Sequence, residues 1–234
     1  MKRSIGILHR LLDFISPRAC VICGCRLGIT EEVICATCNM HLPRTYYDKN
    51  PYENEMARLF WGQMPVERAF AMIYYEPHSQ VSRMVHSLKY LGHPEVGDFM
   101  GRMMSAELLG GTFFDGIDMI VSVPLSRKRQ RKRGYNQSME IARGISSLTG
   151  IPVADKIVKR EKFVESQTQK HRWQRLENVD GVFRLCDNPS VDGKHILLVD
   201  DVVTTGSTII SCANEISRGG NVRFSVLSFG YAKG

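Results

Sequence analysis

The stretch that decides the fold is Ile196-Leu-Leu-Val-Asp200-Asp201-Val-Val-Thr-Thr-Gly-Ser-Thr208. A continuous apolar run ends in two adjacent carboxylates, and a short loop of small, hydroxyl-bearing residues follows. Such a run is typical of a strand that is buried on both faces of a parallel sheet. Because ligands bind at the carboxyl ends of parallel strands, we expect a ligand site at Asp200 and Asp201.

The loop that follows the acidic pair is predicted to hold a phosphate monoester. A loop that opens a helix offers unpaired backbone N–H groups and the positive end of the helix dipole. Gly206 permits close approach of the backbone, and four neighbours add hydroxyl donors: Thr204, Thr205, Ser207 and Thr208. Asp200 and Asp201 can accept hydrogen bonds from two adjacent hydroxyls, as on a ribose, or lie near a Mg²⁺ ion carried by the ligand. An ordinary helix N-cap is the alternative interpretation. A cap needs only one suitable residue, whereas this sequence combines an apolar run, an acidic pair and a loop rich in hydroxyl groups.

Strands and helices alternate along the rest of the chain, which predicts an α/β fold with a parallel sheet. Strands are expected near 68–75, 119–123, 153–159, 195–199 and 222–229. Helices are expected near 79–90, 94–109, 136–148 and 206–218, with a short amphipathic helix at 4–15. The polar and aromatic segment 43–65 is interpreted as a linker with one or two helical turns, and 160–180 as a polar loop.

Five of the seven cysteines lie between positions 20 and 38, where two C-x-x-C pairs are separated by eleven residues. This spacing is typical of a tetrahedral zinc ribbon, with one metal held by Cys20, Cys23, Cys35 and Cys38. Four thiolates leave no open position for water, so the zinc is expected to be structural. A disulfide framework and a redox C-x-x-C are the alternatives, and Cys25 could replace Cys23 as a ligand. We therefore expect a zinc-ribbon unit at 1–45 and the α/β domain at 46–234.

The composition is that of an ordinary globular protein with a basic surface. The chain has 234 residues, of which 43% are hydrophobic and 24% charged, and its net charge is +7. An excess of positive charge favours an anionic partner such as nucleic acid, a phosphorylated metabolite or an acidic membrane surface. No apolar run is long enough to span a membrane, and charged residues interrupt the N-terminal apolar stretch, so we expect a cytoplasmic protein.

A basic run, Arg127-Lys-Arg-Gln-Arg-Lys-Arg133, contains six cations in seven residues. Such blocks usually form solvated surface that attracts anions in general. Two sharper interpretations are a clamp for pyrophosphate, because arginine matches phosphate oxygens bidentately, and a track for single-stranded nucleic acid. Tyr135 is the aromatic residue beside the run in sequence.

Several motifs resemble known families. The segment 199–208 resembles the 5-phosphoribosyl 1-pyrophosphate (PRPP) signature of type I phosphoribosyltransferases. The double C-x-x-C and a series of further motifs resemble the ComF family of competence-associated phosphoribosyltransferase-like proteins. In chain order these motifs are Leu88-Lys-Tyr-x-Gly92, Val123-Pro-Leu-Ser126, Arg133-Gly-Tyr-Asn-Gln-Ser138 and Ser166-Gln-Thr168, with Arg175, Asn178 and Gly181-Val-Phe183. The resemblance covers about 15–230.

The resemblance implies a role for each matching residue. Asp200 and Asp201 would hold the ribose hydroxyls as the catalytic pair, and residues 204–208 would hold the 5-phosphate. Three residues that follow the strand at 119–123 would lie by the pyrophosphate: Arg133, Asn136 and Gln137. Three others would belong to a mobile loop over the site: Gln167, Thr168 and Arg175.

Two functions follow from the resemblance. The first is an enzyme that binds PRPP with Mg²⁺ and transfers the phosphoribosyl group to a nitrogen acceptor, releasing pyrophosphate. The second is a non-catalytic accessory module of DNA uptake, which would bind single-stranded DNA and a helicase-type ATPase. The acidic pair and the phosphate loop favour ligand binding in both cases.

Overall fold

The computed structural model describes residues 18–161, 182–187 and 189–233, so the helix expected at 4–15 and the residues Gln167, Thr168 and Arg175 lie outside it. The strands are β1 (Val66–Tyr74), β2 (Met119–Ser122), β3 (Val158–Arg160), β4 (Phe183–Leu185), β5 (His195–Val203) and β6 (Arg223–Tyr231). The helices are α1 (Ala36–Met40), α2 (Glu55–Arg58), α3 (Ser82–Tyr90), α4 (Pro94–Leu108), α5 (Arg127–Arg133), α6 (Gln137–Thr149) and α7 (Ser207–Ser217), with a 3-10 turn at Tyr47–Lys49.

Four strands form a parallel sheet in the order β1-β6-β5-β2. The central strand β5 has no exposed side chain from Ile196 to Val199, as its unbroken apolar sequence predicts for a strand covered on both faces. Helix α6 contacts both β2 and β5, and α7 connects β5 to β6. The predicted α/β fold is therefore confirmed. All four strands end at one edge, which places the acidic pair of β5 beside the ends of its neighbours.

Helices α4 and α6 pack with their backbones in direct contact. A Cβ atom at Gly101 would collide with the carbonyl oxygen of Ile141, and one at Gly144 would collide with the carbonyl oxygen of Asp98. Only glycine leaves room for this approach. The close packing fixes α6, whose first turn lies beside the acidic pair.

The segment 43–65 contains the helical turns expected in it, at Tyr47–Lys49 and Glu55–Arg58, but it is part of the core, so its interpretation as a linker was wrong. Met56 and Phe60 are fully buried, and the Thr45 hydroxyl donates to the Ala71 carbonyl oxygen at 2.5 Å. The apolar residues Met56, Phe60 and Met64 recur every four positions, which puts them on one side of the helical turns around α2. The abundance of tyrosines and charges around them concealed this short pattern.

The strand expected near 153–159 is divided between two sheets. Val153 forms a single parallel bridge with Ile120 of β2, whereas β3 pairs with β4 in a separate antiparallel ribbon. Polar residues between the two parts, Asp155 and Lys156, are exposed and interrupt the extended run. Within the described ranges, no helix combines the length and the apolar character that a bilayer crossing requires.

Candidate functional site

The two carboxylates at the end of β5 are held by different elements. The Asp200 side chain accepts a hydrogen bond from the Ser138 hydroxyl of α6 at 2.9 Å and another from the Asp201 backbone N–H at 2.9 Å. Asp201, with 7% of its surface exposed, forms an ion pair with Lys89 of α3, at 2.8 Å between Nζ and Oδ1. The pair thus joins α3, α6 and β5 at one point.

Burial and the neighbouring Asp201 charge together raise the pKa of Asp200 to about 7. The hydrogen bonds from the Asp201 N–H and Ser138, and the charge of Lys89, oppose this rise only in part. A cation that binds beside Asp200 would relieve the repulsion between its carboxylate and the Asp201 charge.

The predicted phosphate loop lies between β5 and α7. Gly206 is the N-cap of α7 with φ +77°, and a Cβ atom there would lie 3.0 Å from Cε1 of Phe60. The Thr205 and Ser207 hydroxyls are 2.7 Å apart and exposed, and a shallow concavity is lined by Asp200 and residues 202–209. The first backbone N–H groups of an 11-residue helix face this concavity, so the loop can bind an anion.

The three residues expected near pyrophosphate occupy different environments. Arg133 ends α5 and donates to the Gln137 side-chain oxygen at 2.7 Å, with its guanidinium 5.3 Å from the ring centre of Tyr90. Gln137 is 1% exposed and Asn136 is the N-cap of α6. The Asn136 amide also donates to the Val123 carbonyl oxygen at 3.1 Å. The Asn136 and Gln137 side chains are therefore engaged in hydrogen bonds within the protein, and of the three residues Arg133 is the one with a positive charge for an anion.

Three polar residues that the sequence did not single out for the site lie at it. Ser138 and Lys89 contact the acidic pair directly, as described above. Arg160 of β3 lies over the Phe183 ring, with its guanidinium 5.3 Å from the ring centre. Burial and the Arg129 charge lower the pKa of Arg160, and the Asp200 charge opposes this in part. Lys89 belongs to a motif noticed in the sequence, but its placement on Asp201 depends on how α3 packs.

The four predicted zinc ligands lie together. The sulfur atoms of Cys20, Cys23, Cys35 and Cys38 are all within 4.8 Å of one another, and those of Cys23 and Cys35 are 3.8 Å apart. Zinc–sulfur bonds of about 2.3 Å in a tetrahedron place the sulfurs about 3.8 Å apart. The cluster therefore fits a tetrahedral metal ion.

Cys25 lies beside this cluster and not within it. Its sulfur is 3.2 Å from that of Cys23, closer than two ligands of one tetrahedral zinc. All seven cysteines are free in the structure, and Cys186 and Cys212 are isolated from the group. The donor set therefore matches a structural metal site better than a disulfide framework.

Comparison with known proteins agrees with this geometry. The phosphoribosyl transferase domain family matches residues 112–226, which contain the acidic pair and the phosphate loop. The DNA utilization protein YhgH of Escherichia coli K12 is 29% identical over 209 residues, covering 86% of this chain and 85% of its own length. Competence protein F of Haemophilus influenzae is 37% identical over 102 residues, 43% of each chain. Competence protein ComFC of Bacillus subtilis is 31% identical over 111 residues, 47% of this chain and 42% of its own.

The parallel sheet, the loop after its acidic strand and the match over residues 112–226 define the class of the fold, which is the phosphoribosyltransferase type with a cysteine cluster at its N-terminal side. The relatives then narrow this class. Residues 112–226 match the phosphoribosyl transferase domain, and the relatives of similar sequence are competence and DNA utilization proteins, consistent with the ComF-like motifs of the chain.

Proposed function

We propose that the carboxyl edge of the sheet binds PRPP with Mg²⁺ and transfers the phosphoribosyl group to a nitrogen acceptor. The observation that carries the proposal is the meeting of three features at one edge: a paired carboxylate, an anion-binding helix start and a surrounding set of cations. Residues 204–208 hold the 5-phosphate, and Asp200 and Asp201 accept hydrogen bonds from the ribose hydroxyls.

The transfer replaces one bond to the anomeric carbon by another. The lone pair of the acceptor nitrogen forms the new bond to C1, and the C1–O electron pair leaves with pyrophosphate. The proton of the acceptor nitrogen passes to water. Negative charge builds on the leaving group, so nearby cations such as Lys89 and Arg133 stabilise the transition state.

The residues present suit the Mg²⁺ that PRPP carries. Hard divalent cations prefer carboxylate oxygens, and a cation beside Asp200 would oppose the rise of its pKa that burial and the Asp201 charge cause. The metal would neutralise part of the pyrophosphate charge.

Titration of the protein with PRPP and Mg²⁺ tests the site. Replacing Asp200 and Asp201 together by asparagine removes the charge-assisted hydrogen bonds, each worth about 1.5–3 kcal/mol, so PRPP affinity should fall at least about tenfold. Asp118→Asn, at the opposite edge of the sheet, is the matched control and should leave affinity unchanged. Failure of the parent protein to bind PRPP with Mg²⁺ at about millimolar concentration would contradict the site assignment.

Pyrophosphate release separates the enzyme from a binding module. The enzyme proposal expects release with an acceptor nitrogen, lost in the Asp200→Asn/Asp201→Asn variant. Retained PRPP binding without release for any acceptor supports the alternative, a ligand-binding accessory module. Because the relatives are named for competence and DNA utilization, we propose a role in DNA uptake beside a helicase-type ATPase in the cytoplasm.

A second proposed function, binding of single-stranded DNA, is favoured by the basic run. The run forms α5, N-capped by Ser126, with no buried residue, and the Tyr90 ring beside Arg133 is 59% exposed. Replacing Arg127, Lys128 and Arg131 by glutamine should weaken oligonucleotide binding and flatten its salt dependence, because fewer counterions are released. Arg143→Gln and Arg218→Gln are controls on other helices. Unchanged affinity at low salt would show that the run is only solvated surface.

We also propose that the cysteine cluster binds one structural Zn²⁺, which replaces a core in the unit 1–45. Elemental analysis should find one zinc per chain in the parent and none after Cys35→Ser. Cys186→Ser and Cys25→Ser are the controls and should retain the metal. Zinc lost with Cys25→Ser but kept with Cys23→Ser would contradict the proposed ligand set, and absence of zinc from the parent would contradict the site.

A further inference from the structure

Lys89 is a cation that the chain itself supplies to the acidic pair. Its ammonium lies 2.8 Å from Oδ1 of Asp201, and its side chain is 22% exposed. Three other ion-paired lysines, Lys159, Lys194 and Lys233, have side chains that are 39–64% exposed. Solvent and salt screen a partly buried ion pair less than one on the open surface. Lys89 is therefore a stronger partner of its aspartate than an ordinary surface lysine would be.

Helix α3 holds this lysine in place, because the helix is anchored near both ends. Near its start, the Arg83 guanidinium donates to the Ile22 carbonyl oxygen at 2.7 Å, between the first two cysteines of the metal cluster. Near its end, the Tyr135 hydroxyl donates to the Leu88 carbonyl oxygen at 2.6 Å. Between these contacts α3 buries one face in the core, through Met84, Val85 and Leu88. The backbone of Lys89 therefore cannot move away from the acidic pair without breaking contacts at several points.

The contacts within the protein use one oxygen of each carboxylate. The Ser138 hydroxyl and the backbone N–H of the next residue both donate to Oδ1 of Asp200. The Lys89 ammonium likewise lies on Oδ1 of Asp201. Among the residues that the structure describes, neither Oδ2 atom has a hydrogen-bond partner. Each carboxylate therefore keeps one oxygen for a ligand, which suits a pair of adjacent hydroxyls.

The Lys89 ammonium also lies where a divalent cation would have to bind Asp201. Mg²⁺ binds carboxylate oxygens at about 2.0–2.1 Å, and it repels a second cation on the same oxygen. A metal ion can therefore reach Oδ1 of Asp201 only by displacing Lys89. Because the lysine already balances the charge of this carboxylate, a ligand that offers only hydroxyl groups to the pair needs no metal to bind there.

We infer that Lys89 takes the place of a metal ion in the recognition of the ribose, so that pentose 5-phosphates bind at the carboxyl edge without a divalent cation. The inference rests on the ligand site of the proposed function and deepens it. Mg²⁺ then serves the pyrophosphate of PRPP, and Lys89 serves the ribose. The phosphate loop binds the 5-phosphate through backbone N–H and hydroxyl groups, which need no metal either.

The test measures the affinity for ribose 5-phosphate, which lacks the pyrophosphate, with and without millimolar Mg²⁺. The buffer is freed of divalent cations over a chelating resin before the protein is added, so that protein-bound zinc stays in place. The parent protein should bind equally in both conditions, within about twofold. Lys89→Met should weaken metal-free binding at least about tenfold, because it leaves a buried charge on Asp201 without a partner, and Mg²⁺ should restore most of the affinity. Lys89→Arg keeps the charge and should remain independent of Mg²⁺.

Lys194→Met is the matched control. Lys194 also forms an ion pair with an aspartate, Asp118, at 3.1 Å, but at the opposite edge of the sheet. Its replacement should leave the affinity for ribose 5-phosphate unchanged. Thermal unfolding with Mg²⁺ alone adds a measurement that needs no ligand and shows that each variant is folded. Mg²⁺ should raise the Tm of Lys89→Met more than that of the parent or of Lys194→Met, because only Lys89→Met exposes an unpaired carboxylate to the metal.

The outcomes separate this inference from the proposed function. If ribose 5-phosphate and PRPP both bind the parent only with Mg²⁺, the inference is overturned and the proposed function stands. Metal-free binding that is equally tight in Lys89→Met also overturns the inference, because the lysine is then not the counter-charge. Metal-free binding that Lys89→Met loses, without pyrophosphate release for any acceptor, contradicts the proposed transfer and supports the inference. If neither ligand binds under either condition, the ligand site is wrong and the inference fails with it.

Discussion

The carboxylates at the two edges of the sheet lie in opposite electrostatic environments. At the amino edge, Asp118 accepts hydrogen bonds from the His195 backbone N–H and from Lys194, and these contacts lower its pKa. At the carboxyl edge, burial and the adjacent Asp201 raise the pKa of Asp200. The same residue type thus stabilises the fold at one edge and leaves repulsion unrelieved at the other. The difference indicates that the amino edge serves stability and the carboxyl edge serves a ligand.

Other charged side chains at the amino edge also have hydrogen-bond or ion-pair partners. Arg68, with 8% of its surface exposed, donates to the carbonyl oxygens of Thr112, Phe113 and Asp115 at 2.7–2.9 Å. Glu67 accepts from Arg223 at 2.6 Å. These contacts fasten the turn that precedes β2 to the first strand of the sheet.

The largest effect is expected from Arg68→Met. The change keeps a long apolar stem but leaves three carbonyl groups without their donor, so it should lower the free energy of unfolding by about 3 kcal/mol. Urea denaturation followed by circular dichroism measures it. Arg143→Met, an exposed helix arginine, is the control and should cost less than about 0.5 kcal/mol. A loss below about 1 kcal/mol for Arg68→Met would show that the amino edge does not depend on this network.

Asp200→Asn should instead raise the free energy of unfolding. A carboxyl whose pKa rises from 3.8 to about 7 on folding contributes stability that is present below pH 4 and lost as the pH rises toward 7. Without the ligand, the neutral amide should therefore raise stability at pH 8 by about 2 kcal/mol and have little effect at pH 4. Denaturation curves at the two pH values measure the difference. Destabilisation at pH 8 would refute the view that this edge stores repulsion.

Asp118→Asn should give the smallest effect, and like Arg68→Met it should lower the free energy of unfolding. Its pKa is lowered on folding, so the carboxylate contributes stability above its ordinary value of 3.8 and loses it as the pH falls through the lower folded value. We expect a loss of about 1 kcal/mol at pH 7 that vanishes near pH 2, because solvent screens a half-exposed ion pair. Equal stability of variant and parent at pH 7 would remove the contrast between the edges.

Local sequence predicted most elements because their signals are contiguous. Residues 196–199 are apolar without interruption, and the acidic pair and its loop follow directly in the chain. The cysteine spacing likewise brings two short turns together with few alternatives. The segment around Met56 and Phe60 was misinterpreted because its apolar residues are outnumbered by polar and aromatic neighbours, and only packing against the sheet shows that they are buried.

The sequence by itself determined the parallel α/β class, the location of the acidic pair and phosphate loop, and the four-cysteine cluster, since each depends on residues close together in the chain. Only the tertiary structure placed Lys89 on Asp201 and Ser138 on Asp200. The hydrogen bond joins residues 62 positions apart, and the ion pair joins helix α3 to strand β5. Hydrophobic periodicity specifies which face of an element is buried, but the order of the strands and the contact between α4 and α6 decide which side chains meet.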